Sequence, residues 1–334
     1  MIGGRHLRLA GRAVRHALSA VHPYEVQAVL LNACDLKCVY CRCPEFPVRT
    51  MTTDEWRRTI RGLSACGTLR IKFQGGEPTL RPDFPLLCAE AKAAGLTTAV
   101  ISHGGRIARS PALLDGLDEA VITLDARTPS LHDRQRGPGT HAAAVRALDL
   151  SLERGLKTYA VMIVTKLTFG EVEPLLDFCE ARGIRFHAQP VYFGRRYFDE
   201  SVRPLALSQE QIRALHVALA SWKRRGRPLM FSASTYGRAA GWPDYDRLAA
   251  PSDGPSRCMA GRFYFHIEPN GDVWPCAHHI PLPAYGNVLR DGLVGALRSA
   301  KRHHCADCYS AYLIERKRLF GLQAGAWLEM ARRG

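Results

Sequence analysis

Apolar segments of six to nine residues alternate with amphipathic segments between residues 25 and 192. The apolar segments are rich in Val, Ile, Leu and Phe, which is typical of buried parallel strands. The six predicted strands are EVQAVLLNA, LRIKFQ, TTAVIS, EAVITLD, TYAVMIVT and IRFHAQPVY. Predicted helices lie between them, at about residues 53–65, 82–94, 110–117, 141–155 and 171–183. This alternation predicts an α/β fold with a parallel sheet, either an open doubly wound sheet or a partial barrel.

Polar and small residues follow four consecutive predicted strands at the points where those strands end. They are CDLKCVYC at 34–41, GGEP at 75–78, SHGG at 102–105 and TLD at 123–125. The carboxyl ends of parallel strands meet at one edge or rim, where ligands bind. Glycines let a ligand approach the backbone closely, and the Glu77 carboxylate can accept a hydrogen bond from a cationic amine. GGEP alone also fits an ordinary turn, but beside the cysteines it predicts a binding site.

Eight of the eleven cysteines fall into two groups. In a reducing compartment, such groups are typical of metal ligands rather than of disulfides. The three thiols of CDLKCVYC match neither the usual ligand sets of zinc nor the even count that a disulfide needs. A [4Fe–4S] cluster fits better, because three thiolates leave one iron open to bind something else. The first group is Cys34, Cys38, Cys41 and Cys43, and the second is Cys258, Cys276, Cys305 and Cys308.

Length and composition are those of a globular protein. The 334 residues can form one large domain and a smaller one, and 46% apolar with 23% charged residues is ordinary for such a protein. No apolar run reaches the roughly 18 residues of a membrane span. Arginines interrupt residues 1–22, so that segment does not fit a secretory signal. These features predict a cytoplasmic protein.

CDLKCVYC and the GGEP that follows it resemble the radical S-adenosylmethionine (SAM) superfamily, over residues 25–192. The resemblance implies a partial (β/α)6 TIM-type barrel. It also implies a [4Fe–4S] cluster on Cys34, Cys38 and Cys41, whose open iron binds SAM. Cys43 is interpreted as a non-ligand, because a fourth thiolate would fill the open iron.

The same resemblance implies a set of SAM contacts along the rim. The backbone of Gly75, Gly76 and Glu77 would hold the methionine amine, and Tyr40 would lie against adenine. Thr123 and Asp125, on the fourth strand, would reach the ribose and nearby polar groups. Ser102 would make the third-strand contact; it stands where relatives often have Thr, and His103 stands where they often have Asn.

The second cysteine group surrounds a predicted hairpin. Two apolar stretches in FYFHIEPNGDVWPC flank PNGD, a strong turn signal. Four thiolates can close a tetrahedral zinc site or fully ligate an iron–sulfur cluster. The order Cys258, Gly271, Cys276 resembles the front half of a SPASM domain, and the chain lacks the cysteines for a further cluster after Cys308. This is similar to the shortened twitch variant, which implies one auxiliary [4Fe–4S] cluster on Cys258, Cys276, Cys305 and Cys308, with zinc as the alternative.

Basic residues are concentrated near both ends of the chain, whose net charge is +15. Arg5, Arg8, Arg12 and Arg15 share one face of a predicted amphipathic helix. Such a helix could lie on an anionic membrane surface or a polyanion, or pack on the domain with its arginines in water.

Residues 193–257 join the two halves of the chain. Ser208 and Gln211 form a capping signal for a helix within this segment. Arg195 and Arg196 would suit a carboxylate or phosphate, or belong to a basic surface linker. The predicted division is a basic helix at 1–24, a radical SAM core at 25–192, a linker with a helix at 193–257 and an auxiliary-cluster domain with a C-terminal helix at 258–334.

The resemblance implies an oxidoreductase that cleaves SAM reductively to a 5′-deoxyadenosyl radical and abstracts a substrate hydrogen. An auxiliary cluster would then accept an electron from the substrate, and flavodoxin or ferredoxin would supply the first electron. Candidate substrates are a small natural product, a sugar or aminocyclitol, a lipid-linked molecule or a peptide. About two dozen residues precede the first strand, too few for a fused peptide-recognition domain, which shifts the expectation toward a small or lipid-linked substrate.

The alternative is a radical SAM enzyme that modifies RNA and uses its basic surface to bind nucleic acid. The sequence argues against this alternative in two ways. No RNA-binding module is recognisable, and aromatic residues do not interleave with basic ones as they do on a base-stacking surface.

Overall fold

The computed structural model describes residues 23–193, 199–250, 258–279, 284–303 and 305–321. Residues 1–22 of the predicted basic helix at 1–24, and the pair Arg195 and Arg196, lie outside the described residues. Within the described ranges, no helix is both long enough and apolar enough to cross a membrane.

Six parallel strands form the centre of the main sheet, in the order in which they occur in the chain. They are β1 (Glu25–Val29), β2 (Arg70–Gln74), β3 (Thr97–Ser102), β4 (Glu119–Thr123), β5 (Lys157–Val164) and β6 (Arg185–Pro190). All six contribute residues to the lining of one cavity, so the sheet curves around a common interior. The partial (β/α)6 barrel implied by the sequence is confirmed, and the open doubly wound sheet is not observed.

Helices connect these strands and cover the barrel. They are α1 (Thr53–Ala65), α2 (Phe84–Ala93), α3 (Gly105–Arg109), α4 (Pro129–Arg136), α5 (Thr140–Glu153) and α6 (Val172–Glu180). Trp56 of α1 and Phe84 of α2 are fully buried in the core that the helices share with the strands. Thr52 and Glu55 start α1 with a reciprocal capping box, which satisfies two main-chain donors of the first turn.

The prediction of a helix at 110–117 is wrong, and α4 was not predicted. The chain forms α3 before that position and then a short 3-10 turn, Pro111–Leu114. Pro111 disfavours helical geometry at the preceding residue, and Ser110 accordingly has φ −135° and ψ 83°. The proline therefore separates the two elements.

The second half of the chain adds smaller elements. They are α7 (Gln209–Arg224), α8 (Ala233–Ala240), β7 (Ala249–Ala250), β8 (Tyr264–Ile267), β9 (Asp272–Trp274), β10 (Gly286–Asn287), α9 (Gly292–Ala300), β11 (Asp307–Cys308) and α10 (Ala311–Phe320). The capping box of Ser208 and Gln211 starts α7 as predicted.

The predicted hairpin forms, but it does not stand apart from the barrel. β8 and β9 are antiparallel, and Gly271 in their turn has φ 89°, a conformation that favours glycine. β8 also pairs in parallel with β1, so the described part of the main sheet has nine strands in the order β10-β9-β8-β1-β2-β3-β4-β5-β6. Main-chain hydrogen bonds therefore cross the predicted boundary at residue 258, and the four-part division stays a prediction.

Candidate active site

The first cysteine group lies on the loop that follows β1, beside a cavity of about 160 Å³. Cys34, Cys38 and Cys41 line this cavity and are partly buried. Burial raises the pKa of Cys34 to about 12, and it also raises the pKa values of Cys38 and Cys41. The thiols are therefore protonated at neutral pH in the metal-free protein, and metal binding would release their protons. The other predicted residues on the lining are Tyr40, Gly75, Gly76, Ser102 and Thr123.

The glycines after β2 are in direct contact with the cysteine loop. The Gly76 N–H donates to the Leu31 carbonyl at 2.8 Å, and the Glu77 N–H donates to the Ala33 carbonyl at 2.9 Å. A Cβ atom at Gly76 would lie 2.2 Å from the Ala33 carbonyl oxygen, closer than atoms can approach. Only glycine fits, so this position fixes the end of β2 against the loop that carries Cys34.

The side chain of Glu77 makes its hydrogen bonds to other groups of the protein and does not line the cavity. It is fully buried and accepts hydrogen bonds from the Ser102 hydroxyl at 2.9 Å and the His103 N–H at 3.0 Å. It also accepts a 2.6 Å bond from the Thr79 hydroxyl. His103 Nε2 in turn lies 2.8 Å from Asp35 Oδ1, within the cysteine loop. Glu77 therefore ties the ends of β2 and β3 together, and the Ser102 hydroxyl is engaged with it.

Asp125 lies behind the cavity and holds two residues that line it. Its carboxylate accepts a 2.9 Å hydrogen bond from the Tyr40 hydroxyl and lies 3.2 Å from an Arg136 guanidinium nitrogen. Arg136 also donates to the Tyr40 hydroxyl. Burial alone would lower the pKa of Arg136, but the Tyr40 and Asp125 oxygen atoms raise it well above its ordinary value. This arrangement fixes Tyr40 and Arg136, while the ribose contact of Asp125 stays a prediction.

Sequence reasoning missed Arg136, which lines the cavity at the end of α4. Arginine is common in the last turn of a helix, where it interacts with the helix dipole. Arg134, two residues earlier, is exposed, and nothing in the sequence distinguishes the two arginines. Their roles differ only because one of them faces Asp125.

A second, larger cavity of about 500 Å³ fills the barrel and joins the first. The two share lining residues, among them Cys41, Cys43, Gly75 and Thr123. At another part of its wall, the larger cavity is lined by Cys276 and His278. The barrel interior therefore connects the two cysteine groups.

The second cysteine group forms one buried cluster. Cys258, Cys276, Cys305 and Cys308 pack together with Tyr264 and Leu313. A hydrogen bond between Cys305 and Cys258 lowers the pKa of Cys258 and raises the pKa of Cys305. Among the described residues, three metal-ligand atoms come within 4.8 Å of one another at Cys34, Asp35 and His103, and not in this cluster. A tetrahedral zinc with bonds of about 2.3 Å would need its sulfur atoms about 3.8 Å apart.

Comparisons with known proteins show which sequences and folds this chain resembles. The sequence profile of the Radical SAM superfamily matches residues 29–179. The mycofactocin maturase MftC of Mycobacterium ulcerans is 29% identical over 79% of this chain and 71% of that protein. The PqqA peptide cyclase of Xanthomonas oryzae is 30% identical over 77% of this chain and 69% of that protein. The structure of Streptococcus suis SuiB bound to S-adenosylmethionine has a similar fold, with a TM-score of 0.63 and 19% identity over 86% of this chain and 68% of that one.

The Gly76→Ala substitution tests the contact between the two loops. The added methyl group collides with the Ala33 carbonyl, so we expect the cysteine loop to shift and SAM affinity to fall by about tenfold or more. Isothermal titration of the anaerobically reconstituted protein with SAM measures this. Gly170→Ala is the matched control, because nothing lies within 4 Å of a Cβ atom there. Unchanged SAM affinity in the Gly76 variant would contradict this role.

Arg136→Met tests the buried group around Asp125. The variant leaves a fully buried carboxylate without its cation, which costs about 3–5 kcal/mol of unfolding free energy. Arg134→Met removes the same charge from an exposed position on the same helix and should cost less than about 0.5 kcal/mol. Denaturant unfolding followed by circular dichroism measures both values, and equal losses would show that Asp125 does not depend on Arg136.

Proposed function

This chain belongs to the radical SAM superfamily, and on that basis we propose that it is an oxidative, peptide-modifying enzyme with two iron–sulfur clusters. The single observation that carries the proposal is the cavity inside the barrel, which joins the first cysteine group to the second. A substrate in this cavity would lie between the group that generates a radical and a group that can accept an electron.

The residues at the rim fit a cluster and SAM. Cys34, Cys38 and Cys41 are the soft thiolate donors that an iron–sulfur cluster requires, and they leave one iron open. Gly75 and Gly76 line the small cavity with main-chain atoms, which suits a ligand held by backbone groups. When bound, the reduced cluster and SAM supply a 5′-deoxyadenosyl radical, which removes a hydrogen atom from carbon.

The protein contributes positioning and exclusion of water. Glu77 holds the ends of β2 and β3, and Asp125 holds Tyr40 and Arg136, so the wall of the small cavity is fixed before a ligand arrives. A radical must meet its target carbon before it meets solvent or a neighbouring side chain, so much of the gain lies in this fixed geometry. We propose that Tyr40, Thr123 and Ser102 lie around SAM, with Ser102 acting through Glu77.

For the second cysteine group we propose a [4Fe–4S] cluster rather than zinc. Its four thiols are buried together in one group that adjoins the substrate cavity, and four thiolates can fully ligate such a cluster. A cluster on four thiolates has no open iron, so its role would be to accept an electron from the substrate radical. Among the four thiols of this group, Cys276 is the one that lines the cavity, so it links the proposed cluster to the proposed substrate site.

The similarity to a PqqA peptide cyclase favours a peptide over the small or lipid-linked substrate that the sequence suggested. The barrel cavity of about 500 Å³ can accept a few residues of an extended peptide. RNA modification remains the alternative. An electron donor such as flavodoxin or ferredoxin, contact with an anionic membrane surface and a cytoplasmic location stay predictions.

Replacing Cys34, Cys38 and Cys41 together by Ala tests the first site. The wild type should hold about eight irons, in two cubes of four, and the triple variant about four. The variant should form no 5′-deoxyadenosine under reduction, because the open iron is lost. Cys66→Ala, outside both cysteine groups, is the control for thiol loss. Cleavage of SAM by the triple variant would refute the assignment.

The same triple variant identifies the metal at the second site. We expect the remaining metal to be iron with the electron paramagnetic resonance signal of a reduced [4Fe–4S] cluster. Adding Cys276→Ala to this variant should remove that iron and its signal. One zinc in place of the iron would rule out electron transfer at this site and leave it a structural role, since zinc has no redox chemistry.

A further inference from the structure

A cluster of charged side chains lies on the wall of the barrel cavity, below the rim. The carboxylate of Glu25, on β1, is at its centre and is almost completely buried. It contacts Lys72 Nζ at 3.2 Å, an Arg316 guanidinium nitrogen at 2.7 Å and an Arg70 guanidinium nitrogen at 3.5 Å. The Tyr312 hydroxyl also donates to Glu25. Two strands and α10 therefore bring one acid and three cations together.

The charges in this cluster do not balance. Arg70 has a second carboxylate partner in Glu119 of β4, so three cations, Arg70, Lys72 and Arg316, share two carboxylates. Arg185 adds a further positive charge to the cavity lining.

The other acids near the cavity have partners of their own. Glu315 lines the cavity but accepts hydrogen bonds from Ser232 and Thr235, and Arg318 binds the same two hydroxyls. Glu268 lies 2.8 Å from His266. Among the described residues that line this cavity, positive charge is therefore in excess.

Two observations show that burial of these cations is incompletely compensated. Burial lowers the pKa of Lys72 to about 8, even though Glu25 opposes the shift. The Nε–H groups of Arg70 and Arg316 are buried without an acceptor among the described atoms. The Tyr312 ring faces both Lys72 and Arg316, but a ring face compensates a cation less than a carboxylate does. A buried cation without its own anion is costly, and a bound anion would remove the cost.

We propose that the cavity wall at Lys72, Arg70 and Arg316 is a subsite for a carboxylate group of the substrate. The carboxylate would be the third anion of the cluster and would contact the Lys72 ammonium from the cavity. The inference rests on the proposed function, because it takes the barrel cavity as the place where the substrate binds.

The position of the subsite limits the shape of the substrate. Lys72, on β2, lies three residues before Gly75, which follows that strand, so the subsite is about 10 Å below the rim. In a substrate whose carboxylate binds here, the carbon that reacts at the rim lies about three extended residues away from that carboxylate. In a peptide this carboxylate is either the C-terminus or the side chain of an acidic residue.

Binding of short synthetic probes to the reconstituted, SAM-bound enzyme tests the subsite. N-acetyl-diglycine carries a C-terminal carboxylate, and N-acetyl-aspartyl-glycinamide carries one on its side chain. The neutral partners are N-acetyl-diglycinamide and N-acetyl-asparaginyl-glycinamide. At constant ionic strength, at least one acidic probe should raise the thermal midpoint saturably and bind about thirtyfold or more tightly than its neutral partner. The tighter of the two acidic probes identifies the source of the carboxylate.

In the Lys72→Met variant, the affinity for the acidic probe should fall to the affinity for its neutral partner. The thermal midpoint of this variant should not fall, because two cations then face two carboxylates. Lys92→Met is the matched control, since Lys92 is a half-exposed lysine outside the barrel, paired with Asp118. It should leave probe binding unchanged.

Equal binding of acidic and neutral probes by the wild type would overturn the subsite without the use of any variant. An affinity of the Lys72→Met variant for the acidic probe within about twofold of the wild-type value would also overturn the subsite. SAM cleavage by the wild type is measured separately. Its absence would refute the proposed function, whereas intact cleavage without probe discrimination would refute only the carboxylate subsite.

Discussion

The close approach of two main-chain segments at the rim of the barrel determines the geometry of the site. The loop after β1 and the turn after β2 are joined by hydrogen bonds from the N–H groups of Gly76 and Glu77 to the carbonyls of Leu31 and Ala33. No side chain fits between them, as the overlap of a Cβ atom at Gly76 shows. Because the loop carries the first cysteines and the turn carries Glu77, this contact fixes the thiols relative to β2 and, through Ser102 and His103, relative to β3.

The barrel interior is unusually polar for a protein core. Lys72 and His187 line the cavity, Glu25 contacts Lys72 at 3.2 Å, and all three residues are buried. Burial of such groups costs free energy unless each is paired, and here the pairing is incomplete. Proteins accept local costs of this kind mainly at functional sites, where a ligand completes the arrangement. The apolar contacts that stabilise the fold lie instead between the strands and the surrounding helices.

The hairpin of the second half is part of the same sheet. Pairing of β8 with β1 places the strand that follows Cys258 directly beside the strand that precedes Cys34. The relative positions of the two cysteine groups are therefore set by main-chain hydrogen bonds within one sheet. Transfer of an electron between a substrate and a cluster depends on such a fixed separation, and a flexible linker would not provide it.

The sequence by itself determined the order of the six barrel strands, the rim on which CDLKCVYC and GGEP lie, and the second group of thiols. These features depend on local periodicity, on glycine geometry and on cysteine spacing, which are properties of neighbouring residues. The sequence also contains a signal for the polar interior: Arg70, Lys72 and Gln74 alternate with Ile71 and Phe73, which indicates a strand with one polar face. Only the tertiary structure decided that β8 joins β1, that Arg136 rather than Arg134 faces Asp125, and that Arg316 meets Glu25 across 291 residues of chain. These contacts join segments far apart in the chain, and their partners are chosen by packing and charge in three dimensions, which no local pattern records.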